Sequence, residues 1–185
     1  YVVSHIGSKS IAGFFGLDFF TEDYCKAQIS VRDKIIMLNR AIYRKYLKER
    51  PDVMIIGIPG GFMQLNPMRY EEIGDMAYIV SQAVTPDASV LCTYALNFTE
   101  EHLEWLKNVC QYRLNAPIKN LVISNTVMDI SFETQQCEYT TIPLEYLKEK
   151  NPLQQCADLN MFYALDPDDM DALGTAIEDQ LASNL

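Results

Sequence analysis

The chain has 185 residues, of which 49% are hydrophobic and 22% are charged, and this balance is ordinary for one globular domain. Its formal net charge of −10 argues against the basic surface that binding to nucleic acid or to an anionic membrane requires. No apolar run approaches the ~20 residues of a membrane span, and no signal peptide is visible. We therefore expect a cytoplasmic protein with no nucleic-acid or membrane partner.

We expect residues 1–185 to form a single α/β domain. The chain starts at Tyr1 rather than methionine, which is compatible with a fragment of a longer protein. The cysteines are odd in number and none forms a C-x-x-C pair: Cys25, Cys92, Cys110, Cys137 and Cys156. This pattern favours reduced, mostly buried thiols over a disulfide framework or a zinc site, and no metal site is predicted.

The N-terminal segment YVVSHI is a candidate strand, and a turn, Gly7-Ser8-Lys9-Ser10, follows it. A phosphate-binding P-loop needs a glycine five residues before its Gly-Lys-Ser end, but Val2 lies five residues before Gly7. The sequence therefore does not predict an intact phosphate loop. The next segment, IAGFFGLDFF at residues 11–20, is either a piece of the core or an apolar patch for a partner, including a second copy of the chain.

The apolar spacing predicts an amphipathic helix over Val31–Arg50, with Ser30 as its N-cap and Pro51 beyond its end. The run DVMIIGIPGG at residues 52–61 follows this helix. Because the run lacks alternation, it predicts a strand buried on both faces, as in a parallel sheet. Its glycine turn would place bare backbone N–H groups at the carboxyl edge of the sheet, where open α/β folds bind ligands.

Strands and helices are predicted to alternate along the rest of the chain. We expect a helix capped by Asn66, a strand over 89–96, a helix from Thr99, a strand over 121–124, a hairpin or edge strand within 130–141, a helix from Pro143, a strand over 159–165 and a helix from Asp166. Such alternation predicts a three-layer α/β/α fold with a mostly parallel, Rossmann-like sheet.

The carboxyl ends of parallel strands share one edge, and polar or flexible residues collect at those ends. The candidate ligand-binding crevice consists of Gly57, Pro59, Gly60, Gly61, Asn66, Asn97, Asn125 and Asp129. Ordinary turn chemistry favours the same residue types without any ligand, so turns alone are the alternative explanation for this pattern. No catalytic residue and no cofactor can be assigned from the sequence.

The run DVMIIGIPGG, with the later VISNTVMD, resembles the second half of a degenerate P-loop NTPase of the MinD and dethiobiotin-synthetase kind. This resemblance implies phosphate near Gly57, Pro59, Gly60 and Gly61, and a base near Asn125 or Asp129. Gly57, however, stands where that family has an acid that organises the metal. A protein of this fold with glycine there would have lost catalysis, since Mg²⁺ has no carboxylate behind it.

A second resemblance lies in GIPGGFMQLNP and the following YIVSQAVTPDASVLC, between about Pro51 and Leu96. These segments are similar to proteins of bacterial, Clostridium-type peptide-maturation systems, which make small ribosomal, bacteriocin-like peptides. The resemblance implies an accessory role in peptide modification and brings no catalytic residues.

Three hypotheses for the function remain open. The favoured one is an accessory, non-catalytic protein that binds a peptide or a modifying enzyme of the same system. The alternative is a nucleotide-binding, NTPase-like enzyme that uses the glycine turn as an anion site. The third is a homodimerisation module that uses residues 11–20, in which Phe14 and Phe15 are the central aromatic residues.

Overall fold

The computed structural model describes residues 1–9, 13–14, 16–17, 19–62, 74–95, 99–131, 136–150 and 159–183. Its elements in chain order are β1 (Val3–Ile6), α1 (Thr21–Cys25), α2 (Val31–Glu49), β2 (Val53–Ile56), α3 (Asp75–Ala83), β3 (Val90–Thr93), α4 (Glu100–Leu114), β4 (Asn120–Ile123), β5 (Thr126–Ile130), β6 (Cys137–Thr141), α5 (Leu144–Lys150), β7 (Asn160–Tyr163) and α6 (Pro167–Ala182). The strand pairs β1–β2, β3–β4 and β4–β7 are all parallel. The predicted α/β class is therefore confirmed.

The chain divides into two compact units, Tyr1–Thr85 and Pro86–Leu185. Among the described helices, none combines the length and the apolar character needed to cross a membrane.

The first unit contains the parallel pair β1–β2 and helices α1 to α3. Helix α2 begins as predicted, because the Ser30 hydroxyl accepts a hydrogen bond from the Asp33 amide at 3.2 Å. It ends at Glu49, and the following Arg50, with a left-handed φ of 48°, turns the chain into Pro51. The boundaries of this helix could thus be read from its cap and its proline.

The core of the first unit lies on one face of the β1–β2 pair. It contains Ile6, Cys25, Leu38, Ile42, Ile79, Val80 and Ala83. On β2, Met54 and Ile56 pack against this core, whereas Ile55 between them is 52% exposed. The prediction that β2 is buried on both faces is therefore wrong. Successive side chains of a strand point to opposite faces. Ile55 therefore points away from the core, and its apolar character alone does not ensure that another element packs over it.

The second unit contains a parallel sheet with the strand order β3–β4–β7. All four residues of the central strand β4 are buried. The two long helices begin where the sequence predicts. The Thr99 hydroxyl accepts from the His102 amide at 3.2 Å before α4, and Asp166 accepts from the Asp168 amide at 3.1 Å before α6.

The predicted hairpin is formed by β5 and β6, which pair antiparallel from Thr126 opposite Thr141 to Ile130 opposite Cys137. It begins closer to β4 than the β-branched pattern indicates. The Ser124 hydroxyl accepts from the Thr126 amide at 3.2 Å and turns the chain directly after β4. The Ala95 amide then donates to the Thr126 carbonyl at 2.8 Å, so the hairpin lies at the carboxyl ends of β3 and β4.

Candidate functional site

The glycine turn after β2 lies beside the turn after β1. The Gly57 amide donates to the Ile6 carbonyl at 2.9 Å, which extends the parallel pairing beyond both strands. A Cβ atom on Gly57 would lie 2.7 Å from the backbone nitrogen of Ser8 and 3.0 Å from its Cβ. These contacts are too close for any side chain. Glycine is therefore required at position 57 by the packing of two turns of the chain itself.

Thr21 closes the same edge from α1. Its side chain is fully buried, and its hydroxyl donates to the Gly57 carbonyl at 2.7 Å. The Thr21 amide also donates to the Gly7 carbonyl at 3.0 Å. Sequence reasoning missed this residue, since no local pattern links a threonine to a glycine that follows it by 36 positions.

The remaining residues of the glycine turn show ordinary turn chemistry. Pro59 is buried, and Gly60 has a φ of 70°, a conformation that favours glycine. A Cβ on Gly60 would lie 2.9 Å from the terminal methyl of Met76. The structure thus brings Gly57, Pro59, Gly60 and Gly61 together in one turn, as their sequence proximity dictates.

The predicted crevice residues of the second unit belong to the β5–β6 hairpin and its base. The Asn125 carbonyl accepts from the Ile142 amide at 2.9 Å, and the Asn125 side-chain amide donates to the Ile142 carbonyl at 3.3 Å. Asp129 is exposed on β5, directly opposite Glu138 on β6. Asn125 therefore fixes the base of the hairpin, whereas Asp129 lies further along it.

Asn66 and Asn97 lie outside the described residues. The glycine turn belongs to the first unit, and Asn125 and Asp129 belong to the second. A ligand-binding role for these residues stays a prediction.

A charged cluster lies where β7 leads into α6. Lys148 on α5 forms an ion pair and hydrogen bond with Asp166, the N-cap of α6, and its ammonium lies 5.8 Å from the centre of the Tyr163 ring. The hydrogen bond from Lys148 holds the pKa of Asp166 below its ordinary value, and the same bond raises the pKa of Lys148. The cluster joins α5 to the start of α6, so its evident role is structural.

The buried thiols do not provide a nucleophile. Burial raises the pKa of Cys25 and that of Cys110 to about 11 in each case, so both thiols are protonated at neutral pH. Within the described ranges, no group of three or more histidine, cysteine, aspartate or glutamate side chains could hold a metal ion.

An open pocket of about 300 Å³ lies at the amino ends of β4 and β7, beside the C-terminal half of α6. Its polar lining comprises Lys119, Asn120, Asn160, Asp179, Gln180 and Ser183. This is the edge opposite to the one at which the sequence predicts a crevice. Three of these six side chains are amides, which donate and accept hydrogen bonds but do not serve as acids, bases or nucleophiles.

The sequence contains one signal for this pocket, in the first residues of two strands. An asparagine is the first residue of β4 and also of β7, in KNLVI and LNMFY. The parallel register places Asn120 directly beside Asn160. Two asparagines at matching positions of neighbouring strands indicate a pair of amides at one edge of a sheet.

Comparison with known proteins finds no matching family model, no matching curated protein and no matching solved structure.

Proposed function

We propose that the protein is an accessory, non-catalytic binding protein of a bacterial system that matures ribosomal, bacteriocin-like peptides. Its partner would be a peptide or a modifying enzyme of that system. The assignment to such a system rests on the resemblance of residues between Pro51 and Leu96. We also propose a three-layer, Rossmann-like arrangement, supported by the parallel strand pairs and by the alternation of strands with helices.

The contact between Gly57 and Ser8 is the observation that carries the non-catalytic part of this proposal. An NTPase of the related architecture needs an acid at position 57 to organise Mg²⁺. Here a side chain at that position would meet the Ser8 backbone nitrogen at 2.7 Å. The Gly57 carbonyl is also bound by the Thr21 hydroxyl. The turn is thus built to pack against the chain, and the carboxylate that NTP hydrolysis requires has no room there.

The second candidate function is nucleotide binding by an NTPase-like fold. It is favoured by one observation, namely that the turn Gly7-Ser8-Lys9 lies beside the glycine turn that begins at Gly57. Two glycine turns at the ends of neighbouring parallel strands are an arrangement that binds phosphate in related folds.

Isothermal titration separates the two functions. The protein is titrated with a synthetic bacteriocin-like precursor peptide, and separately with ATP and GTP, each with and without Mg²⁺. We expect saturable binding of the peptide and no heat from either nucleotide. Tight, Mg²⁺-dependent nucleotide binding followed by phosphate release would overturn the non-catalytic proposal. A precursor peptide that gives no binding heat would overturn the assignment to peptide maturation.

We also keep homodimerisation through residues 11–20 as a proposal. Its support is Phe14, whose side chain is 90% exposed. Light scattering of the native chain and of Phe14→Asp tests it. A dimer that becomes a folded monomer on substitution is the expected result, and an unchanged molar mass would contradict it.

A further inference from the structure

We propose that the pocket at the amino ends of β4 and β7 binds a peptide amide, whose N–H donates to the side-chain oxygen of Asn160. The choice of a peptide among N–H donors rests on the proposed function. The requirement for a hydrogen-bond donor does not, since it follows from the hydrogen bonds within the pocket.

Three side-chain amides form a chain of hydrogen bonds across this pocket. Asn160 Nδ2 donates to Asn120 Oδ1 at 3.0 Å, Asn120 Nδ2 donates to Gln180 Oε1 at 3.5 Å, and Gln180 Nε2 donates to the Asp87 carbonyl at 3.4 Å. A backbone carbonyl can only accept. The final bond therefore fixes the orientation of Gln180, and each amide in turn fixes the orientation of the one before it.

This direction leaves an acceptor at the open end of the chain. Asn160 uses its nitrogen toward Asn120, so its oxygen points away from the chain of bonds, and no described residue donates to it. Asn160 is also the exposed member of the three. Hydrogen bonds in series polarise one another, which makes this oxygen a stronger acceptor than that of an isolated amide. A ligand with a hydrogen-bond donor would supply the partner that the described residues do not provide.

The burial of Asn120 supports a role beyond folding. Its side chain is 1% exposed, at the start of a strand whose other residues are Leu121, Val122 and Ile123. Burying an amide is unfavourable unless it is hydrogen-bonded, and an apolar residue of similar size suits such a position better. What Asn120 provides here is the acceptor that orients Asn160.

The charges in the lining select among N–H donors. Lys119 contributes one positive charge and Asp179 one negative charge, so the pocket has no net charge from its side chains. Each charge attracts one sign of ion and repels the other, so the two together give no net attraction for an ammonium ion, a phosphate or a carboxylate. A lining without net charge suits a neutral amide, and a pocket of about 300 Å³ accepts a segment of a few residues.

The test uses the full chain and a small neutral probe, N-acetyl-alanyl-alanine N-methylamide, followed by nuclear magnetic resonance of the side-chain NH₂ groups. We expect saturable shifts of the Asn160, Asn120 and Gln180 signals. Loss of one hydrogen bond corresponds to about tenfold in affinity. We expect the affinity for the probe to fall about tenfold in Asn160→Ala. We expect the same fall when native protein is given a probe whose central amide is replaced by an ester. Asn108→Ala, at an exposed position of α4, is the matched control and should bind as the native chain does.

Unchanged affinity in Asn160→Ala, or equal affinity for the amide and the ester, would overturn the proposal. Stronger binding of methylammonium than of the capped peptide would overturn the choice of ligand. Failure here differs from failure of the proposed function. If a precursor peptide binds native protein and Asn160→Ala equally well, the proposal for this pocket is wrong and the proposed function stands. If the capped peptide binds and the precursor peptide does not, the pocket proposal stands and the proposed function is wrong.

Discussion

The Thr21 hydroxyl donates to the main-chain carbonyl of Gly57 across 2.7 Å, and the Thr21 side chain is fully buried. Through this bond, the first turn of α1 holds the end of β2, while the Thr21 amide holds the end of β1 through Gly7. One threonine therefore fixes both turns at the carboxyl edge of the first unit.

Replacement of Thr21 by valine tests this bond, because valine keeps the shape and removes the hydroxyl. We expect Thr21→Val to lower the free energy of unfolding by about 1–2 kcal/mol, as the Gly57 carbonyl loses its buried donor. Urea denaturation followed by circular dichroism measures the change. The matched control is Thr175→Val, since the exposed Thr175 hydroxyl donates only to the Asp171 carbonyl within α6. Equal stability of the two variants would show that the Thr21 bond contributes nothing.

Gly57 and Gly174 provide a pair of glycine-to-alanine substitutions with opposite expected signs. A Cβ on Gly57 would meet the Ser8 backbone nitrogen at 2.7 Å, whereas a Cβ on Gly174 in α6 would meet nothing within 4 Å. We expect Gly57→Ala to destabilise the protein by about 1–3 kcal/mol, as overpacking does. Gly174→Ala should stabilise it by about 0.5–1 kcal/mol, because alanine favours a helix. Thermal melts of both variants measure these changes, and a Gly57→Ala protein at least as stable as the native one contradicts the close contact.

Much of the fold could be predicted from local signals. Ser30, Thr99 and Asp166 each cap a helix as their position indicates, because a cap depends only on residues within one turn. The exposure of Ile55 could not be predicted, since burial depends on what packs against a strand and the run of apolar residues shows nothing of that.

The candidate site was harder to predict than the fold. Gly57 and Asn125 are residue types that are common at ligand-binding edges of α/β sheets. In the structure, however, Gly57 lies against Ser8 and Asn125 binds Ile142, and local sequence does not reveal these contacts. The pairing of Asn120 with Asn160 depends on the order of the strands in the sheet. A single sequence does not specify that order.

The ion pair between Lys148 and Asp166 predicts a pH dependence of stability. The folded-state pKa of Asp166 lies below its ordinary value of 3.8, mainly because Lys148 donates to it. The contribution of Asp166 to folding stability is therefore complete above pH 3.8, and it is lost as the pH falls through the lower pKa of the folded state. The pKa of Lys148 is raised above 10.5, so its contribution is complete below pH 10.5 and is lost as the pH rises through the folded-state value.

We therefore expect Lys148→Met to lower the melting temperature at pH 7, with a difference from the native protein that shrinks at strongly acidic and strongly alkaline pH. Lys107→Met is the matched control, because Lys107 pairs with an exposed Glu104 within one helix at 3.2 Å. Its effect should be small at every pH, as surface pairs contribute little. A Lys148→Met deficit that stays constant from pH 2 to pH 7 would show that the ion pair is not its source.

Asp169 binds the edge of β7 that faces away from β4. The Asn160 main-chain amide donates to the Lys119 carbonyl, just before β4, and the Ala164 main-chain amide donates to the Ile123 carbonyl, at the end of β4. Because amides alternate in direction along a strand, the Tyr163 amide faces the other edge of β7. There the Tyr163 amide donates to Asp169 Oδ2 at 2.8 Å, and the Tyr163 carbonyl accepts from the Asp166 amide at 3.1 Å. The start of α6 thus occupies hydrogen-bonding groups that a second strand would otherwise use, which is one way in which proteins prevent edge-to-edge association.

Removal of this carboxylate by Asp169→Ala should expose the Tyr163 amide. Because Tyr163 is only 3% exposed, we expect the loss of its Asp169 acceptor to lower the free energy of unfolding by about 1–3 kcal/mol. Hydrogen exchange of the Tyr163 amide should accelerate at the same time. Asp169→Asn keeps an acceptor oxygen and should preserve most of the protection, while Asp168→Ala, one position earlier and exposed, serves as the control. If exchange at Tyr163 is equally slow in native protein and in Asp169→Ala, the edge is protected by something other than this side chain.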